Sequence, residues 1–209
     1  MVTDNEINQQ ANRAVDRSDE QLMLDYQQGD AHAFAALYSK HKGPLYRYFV
    51  RQISDNTLAE DLYQDTWGKV INAADNYQVT AKFTTWLYRI AHNLLIDHVR
   101  AVKPLDKLDE LGEQGMDEFD ANIGNQQFNG RPDEVLEQQH QAQLLKACVA
   151  KLPAVQKEAF LLNIELGLTA SAISDIANVT VEATKSRIRY AYQSIKQCVA
   201  NKWEGMTHE

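Results

Sequence analysis

Between Pro104 and Pro132 the chain loses its helical periodicity, and this break constrains the fold more than any other feature. Leu108 to Gly130 is dominated by Asp, Glu, Gly, Asn and Gln, and residues 104–143 carry ten acidic groups against two basic ones. Such a stretch offers too little apolar surface to offset the entropy of ordering it. It is expected to be a flexible acidic linker. A chain of 209 residues divided there holds two small domains rather than one medium one. The expected fold is all-α: an acidic N-terminal tail over 1–17, a helical domain over 18–103, the linker over 104–133, and a second helical domain over 134–203.

Helix punctuation supports this reading, and strand signals are scarce. Ser18-Asp19-Glu20-Gln21 reads as a capping box closed by Gly29. Asp30 can cap the next helix, which Gly43-Pro44 is expected to break, with Pro44 starting another. Thr57 with Glu60 reads as a second capping box, opening a helix to about Ala74. After a short loop a long helix spans about Thr84 to Val102, with Phe83, Leu87, Ile90, Leu94 and His98 on its apolar face. Pro104 stops it. In the second block helices are expected at 134–150, 154–165, 170–177 and 181–201, the last two forming a helix-turn-helix.

The net charge of −8 by itself argues against a nucleic-acid binder, because phosphate contacts need Lys and Arg. Its distribution changes the picture. Residues 1–30 carry −5 and 104–143 carry −8, whereas 31–103 carry +3 and 144–209 carry +2. No apolar run approaches the ~20 residues that span a bilayer, and the polar, acidic N-terminus does not resemble a signal peptide. A cytoplasmic protein without membrane insertion is expected. Cys148 and Cys198 form neither a CxxC pair nor a metal-ligand cluster, and are expected to be buried free thiols. The histidines show no ligand spacing. Neither a catalytic triad nor a phosphate-cradling glycine loop is present, so no enzymatic activity, cofactor, metal or small-molecule substrate is expected.

Three clusters carry function. In the last helix Val181, Thr184, Ile188, Ala191, Ile195 and Val199 make a buried stripe. Lys185, Ser186, Arg187, Arg189 and Tyr190 lie on its outward side, where donors can meet base edges and phosphates. An ordinary amphipathic helix with a solvated basic face is the alternative. In the first block Tyr77, Lys82, Phe83, Thr84, Trp86, Arg89, His92 and Asn93 crowd rings, cations and amides around one loop and helix start. That mixture suits unpaired bases, which stack on rings while phosphates meet cations; Phe83 and Trp86 can equally be core. Third, Asp61 and Asp65 repel each other across one helical turn by about a few tenths of a kcal/mol. A basic partner surface would explain that pair, with Gln64 and Trp67 beside it, better than helix stability does. A solvated acidic face is the alternative.

Together the clusters resemble the extracytoplasmic-function group of bacterial sigma factors. Its region 2 is matched by Gly29-Asp30, Ala33-Phe34, Leu37-Tyr38, Ala59-Glu60-Asp61-Leu62, Gln64-Asp65-Thr66-Trp67 and the run Phe83 to Asn93, with Asp97 and Arg100. Its region 4 is matched by Leu152-Pro153, Gly167-Leu168-Thr169 and Lys185-Ser186-Arg187. Two departures stand out. The acidic residue before an Ile-Ala pair aligns with Ser171-Ala172-Ile173-Ser174, and Gly-Thr-Val before Lys-Ser-Arg is replaced by Glu182-Ala183-Thr184. The resemblance implies that Asp61, Gln64, Asp65 and Trp67 bind core RNA polymerase. It implies that the 77–93 segment recognises and opens the −10 element and that the last helix reads the −35 element. Promoter DNA and the polymerase are the implied partners, with room for an anti-sigma factor. A helix-turn-helix regulator acting without the polymerase remains the alternative; it would leave the first block's pattern unused.

Overall fold

A computed structural model describes residues 17–53, 55–102 and 132–206. The linker expected over 104–133 and the tail expected over 1–17 lie almost wholly outside the described residues. Those residues contain eight α-helices and one short 3-10 turn, and no strand. They divide into two compact units. The bulk of the first is 17–50 with 55–98, and the bulk of the second is 132–174 with 179–206.

The first unit opens with α1 (Asp19–Gln27), capped by Ser18, whose hydroxyl accepts from the Gln21 N–H at 3.2 Å. Gly29, at φ +99°, ends it, a conformation that favours glycine. Asp30 then caps α2 (Ala31–Gln52), its carboxylate accepting from the His32 N–H at 2.9 Å. The break expected at Gly43-Pro44 is absent, and α2 runs through Pro44. Proline removes one backbone hydrogen bond from a helix interior. Here the buried residues Leu37 and His41 before it and Leu45, Tyr48 and Phe49 after it lie on one helix, and their burial at ~1.5–3 kcal/mol per large apolar side chain outweighs that loss.

α3 spans Asn56–Asn72. Its cap is Asp55, which accepts from the Thr57 and Leu58 N–H groups at 2.9 and 3.2 Å, rather than the Thr57–Glu60 box. A carboxylate two residues upstream reaches the free N–H groups first. A 3-10 turn at Ala74–Asn76 and an irregular stretch lead to α4 (Phe83–Val102). The buried stripe of α4 is Phe83, Leu87, Tyr88, Ala91 and Leu95. The expected Ile90, Leu94 and His98 are only half-buried. The apolar arc is wide enough for either three- or four-residue steps from Leu87 to stay on it, and the core takes the side with the small Ala91.

The second unit comprises α5 (Pro132–Ala150), α6 (Ala154–Leu166), α7 (Ala170–Ala177) and α8 (Val181–Met206). Gly167, at φ +63°, closes α6, and the Leu168 N–H reaches back to the Leu162 carbonyl at 3.2 Å, a left-handed helix stop. Leu152, Phe160, Leu161, Ala191 and Ile195 form its core, with Val149 and Val199 packed against them. Cys148 on α5 and Cys198 on α8 are joined by a disulfide, with Cα atoms 5.8 Å apart, so the expectation of free thiols is corrected. Cys148 is buried; the spacing of fifty residues hid that α5 and α8 bring the two together.

Candidate nucleic-acid and polymerase interfaces

On α3 burial alternates at helical spacing. Leu62, Thr66, Trp67 and Val70 are buried, while Asp61, Gln64 and Asp65 are exposed. Among the described residues neither Asp61 nor Asp65 makes an ion pair. The like-charge pair therefore faces solvent without internal compensation. Trp67 departs from the expectation. Its ring is 5% exposed and lies edge-on against Phe34 at 5.8 Å and Tyr38 at 5.0 Å, so it supports α3 rather than presenting itself to a partner. Beside it the Tyr63 hydroxyl donates to the Tyr38 hydroxyl at 3.0 Å, and Tyr46, exposed, meets Tyr63 edge-on.

The aromatic cluster around the start of α4 divides in the same way. Tyr77 and Phe83 are buried, and each ring contacts the half-buried Trp86, at 5.0 and 5.8 Å between centroids. Tyr77 is an inner wall, and among the described residues its hydroxyl has no hydrogen-bond partner. Burial pushes that hydroxyl up to about 12, and the Glu20 and Asp19 carboxylates add to the effect. It is a neutral phenol at physiological pH. Lys82, Arg89 and Asn93 are exposed, and Thr84 and His92 half-buried. Within the 77–93 segment Gln78, Val79 and Thr80 are exposed as well, Val79 by 53%.

In the second unit, α7 and α8 are separated by a turn in which Asn178 adopts φ +51°. Each helix has a threonine cap: Thr169 Oγ1 accepts from the Ala172 N–H at 3.2 Å, and Thr180 Oγ1 from the Ala183 N–H at 3.1 Å. Thr184, Ala191 and Ile195 are buried, and Val181, Ile188 and Val199 half-buried, as the expected stripe requires. On the other side Lys185, Arg189 and Tyr190 are exposed, with Ser186 and Arg187 half-buried. The Arg189 guanidinium lies over the Tyr190 ring, 5.1 Å from its centroid. In α7 both Ile173 and Ile176 are buried.

Two protein-family models match the chain: Sigma-70 region 2 over residues 37–103 and Sigma-70 region 4 over residues 142–195. The chain belongs to the extracytoplasmic-function group of RNA polymerase sigma factors. It is similar to the ECF RNA polymerase sigma factor SigW of Bacillus subtilis, 27% identical over 81% of this chain and 90% of that one. The RNA polymerase sigma-H factor of Pseudomonas aeruginosa is 26% identical over 87% of this chain and 93% of that one. Among solved structures, CnrH in complex with the cytosolic domain of CnrY aligns with a TM-score of 0.61 at 19% identity, covering 88% of this chain and 99% of that one. The sigma factor RpoE in complex with the anti-sigma factor NepR from Bartonella quintana also aligns at 0.61, with 20% identity, covering 80% and 96%. At those identities the two structures speak for the fold. Sigma factors of this group are transcription initiation factors, and among the described residues no helix is long and apolar enough to cross a membrane.

Proposed function

We propose that this sigma factor divides its work between a polymerase- and −10-binding domain over 18–103 and a −35-binding domain over 134–203. It directs core RNA polymerase to its promoters and performs no bond chemistry itself; it works in the cytoplasm, where the polymerase is. Asp61, Gln64 and Asp65 meet the enzyme. Lys82, Thr84, Trp86, Arg89, His92 and Asn93, with Tyr77 and Phe83 as the supporting wall, form the −10 surface. Lys185, Ser186, Arg187, Arg189 and Tyr190 form the −35 surface. The observation that carries this reading is a shared pattern on α3 and α8. On both, polar and charged side chains stand in solvent between buried apolar neighbours. Such residues gain nothing from folding that a partner would not improve. An anti-sigma factor is a further expected partner, by analogy with RpoE, whose solved structure contains NepR.

The −35 assignment is tested most sharply at Arg189. Its planar fork can be bidentate to a guanine. With holoenzyme on a panel of single-base −35 variants, Arg189→Ala is expected to weaken the preferred sequence by ~1–3 kcal/mol and to relax specificity at one position. Equal weakening on every variant would assign Arg189 to phosphate instead.

A further inference from the structure

Two side chains of α1 reach the segment that precedes α4, one at each end. Upstream, the Gln27 carboxamide donates toward three backbone carbonyls: Ala74 at 3.0 Å, Asp75 at 2.8 Å and Tyr77 at 3.3 Å. Downstream, a Glu20 carboxylate oxygen accepts the Phe83 N–H at 2.7 Å. Phe83 is the first residue of α4, and a helix's own turns leave that N–H without a partner. Glu20 therefore caps α4 from a different helix. Burial alone would raise the Glu20 carboxyl, but the Phe83 N–H, Glu20's own N–H and the Ser18 hydroxyl together hold it below its usual value. The carboxylate is thus charged when it accepts.

α1 is itself fixed. Leu22 and Met23 are buried. Asp19 holds Lys40 Nζ at 2.6 Å and His41 Nε2 at 2.9 Å on α2. Between the two anchored ends lie five residues, Gln78 to Lys82, with Gln78, Val79, Thr80 and Lys82 exposed. Their one tight turn of their own is the Thr80 N–H on the Gln78 carbonyl at 2.8 Å. So short and open a loop takes its shape from where its ends are held.

We propose that Glu20 and Gln27 are positioning residues for promoter opening: by pinning both ends of the Gln78–Lys82 loop they pre-shape it to receive an unpaired −10 base, without touching DNA. Pre-shaping lowers the ordering cost that base capture would otherwise carry. This deepens the −10 assignment above and rests on it.

The test compares holoenzymes carrying Glu20→Ala, Glu20→Gln, Gln27→Ala and Lys82→Ala. The readouts are permanganate reactivity of the −10 thymines, selectivity for single-base variants of a single-stranded −10 oligonucleotide, core affinity and melting temperature. Losing a hydrogen bond to a charged group, or three carbonyl contacts, is expected to cut open complex about tenfold or more in Glu20→Ala and Gln27→Ala. Base selectivity flattens while core affinity stays at the parent value. Glu20→Gln keeps an acceptor for the Phe83 N–H and is expected within about threefold of the parent. Parental opening and selectivity in both alanine variants, with Lys82→Ala impaired, would overturn the positioning role. So would a lower melting temperature with selectivity unchanged, which marks a merely structural role. If Lys82→Ala also opens like the parent, the −10 assignment itself fails.

Discussion

Reversing Asp61 and Asp65 to Lys is expected to weaken binding to core RNA polymerase by about a hundredfold or more, since like charges brought together at an interface cost several kcal/mol. The melting temperature is expected to stay nearly unchanged. Both side chains are exposed, and exposed substitutions away from caps and cores usually change stability by within ~0.5 kcal/mol. The reversal keeps a like-charge pair one turn apart and places a further like charge four residues before Lys69, a cost of about a few tenths of a kcal/mol. The residues proposed to contact the promoter are others than Asp61 and Asp65, so whatever affinity the parent has for a single-stranded −10 oligonucleotide should be unchanged in the double variant. Fluorescence anisotropy with labelled core measures the first quantity and calorimetry the second. Normal core affinity in the double variant would remove α3 from the polymerase interface. A matching fall in melting temperature would show the pair to be structural.

The second large effect concerns the disulfide. Cys148 and Cys198 close a loop of fifty residues, and chain-entropy reasoning puts the stabilisation from such a closure at about 4 kcal/mol at most. For a unit of this size each kcal/mol moves the midpoint by ~4–8 °C. Reduction, or Cys148→Ser with Cys198→Ser, is therefore expected to lower the second unit's midpoint by more than about 10 °C. The first unit contains no cysteine and supplies the internal control: its transition should not move. Differential scanning calorimetry with and without reductant reads both. Identical traces would mean that the bond contributes nothing to the folded state. In a reducing compartment the bond opens, which leaves the apolar cluster containing Ala191 and Ile195, with Val149 and Val199 packed against it, between α5 and α8.

Much of this architecture was legible because helix ends are written in short-range chemistry. Ser18, Asp30, Gly29 and Gly167 act within a few residues of the helix they start or stop, so their side-chain types reveal them. Pro44 misled because a local rule lost to burial on both sides of it, and no local pattern carries that balance. Trp67 and Tyr77 misled for a different reason. An aromatic ring is both good core and good interface, and the sequence does not say which way it turns. Their exposed neighbours Asp61, Gln64, Asp65 and Lys82 were legible, since charge and amide groups are seldom buried unpaired. Glu20 and Gln27 were invisible as positioning residues. Their partners are backbone groups 63 and 47–50 residues further along, and contacts of that kind leave no periodic trace. The cysteine pair was hidden likewise: its spacing says nothing until α5 and α8 are seen to meet.

A sigma factor must hold core RNA polymerase and promoter DNA in one complex. The most direct measurement is gel filtration of the purified protein mixed with core enzyme and a labelled promoter fragment. Each binary mixture and the labelled fragment alone are run beside it. The chain is expected to elute with core at one copy per enzyme, and the fragment to join the complex only when both are present. Binding of the fragment by the free chain, with no co-elution with core, would contradict this and mark the protein as a helix-turn-helix regulator that works without the polymerase.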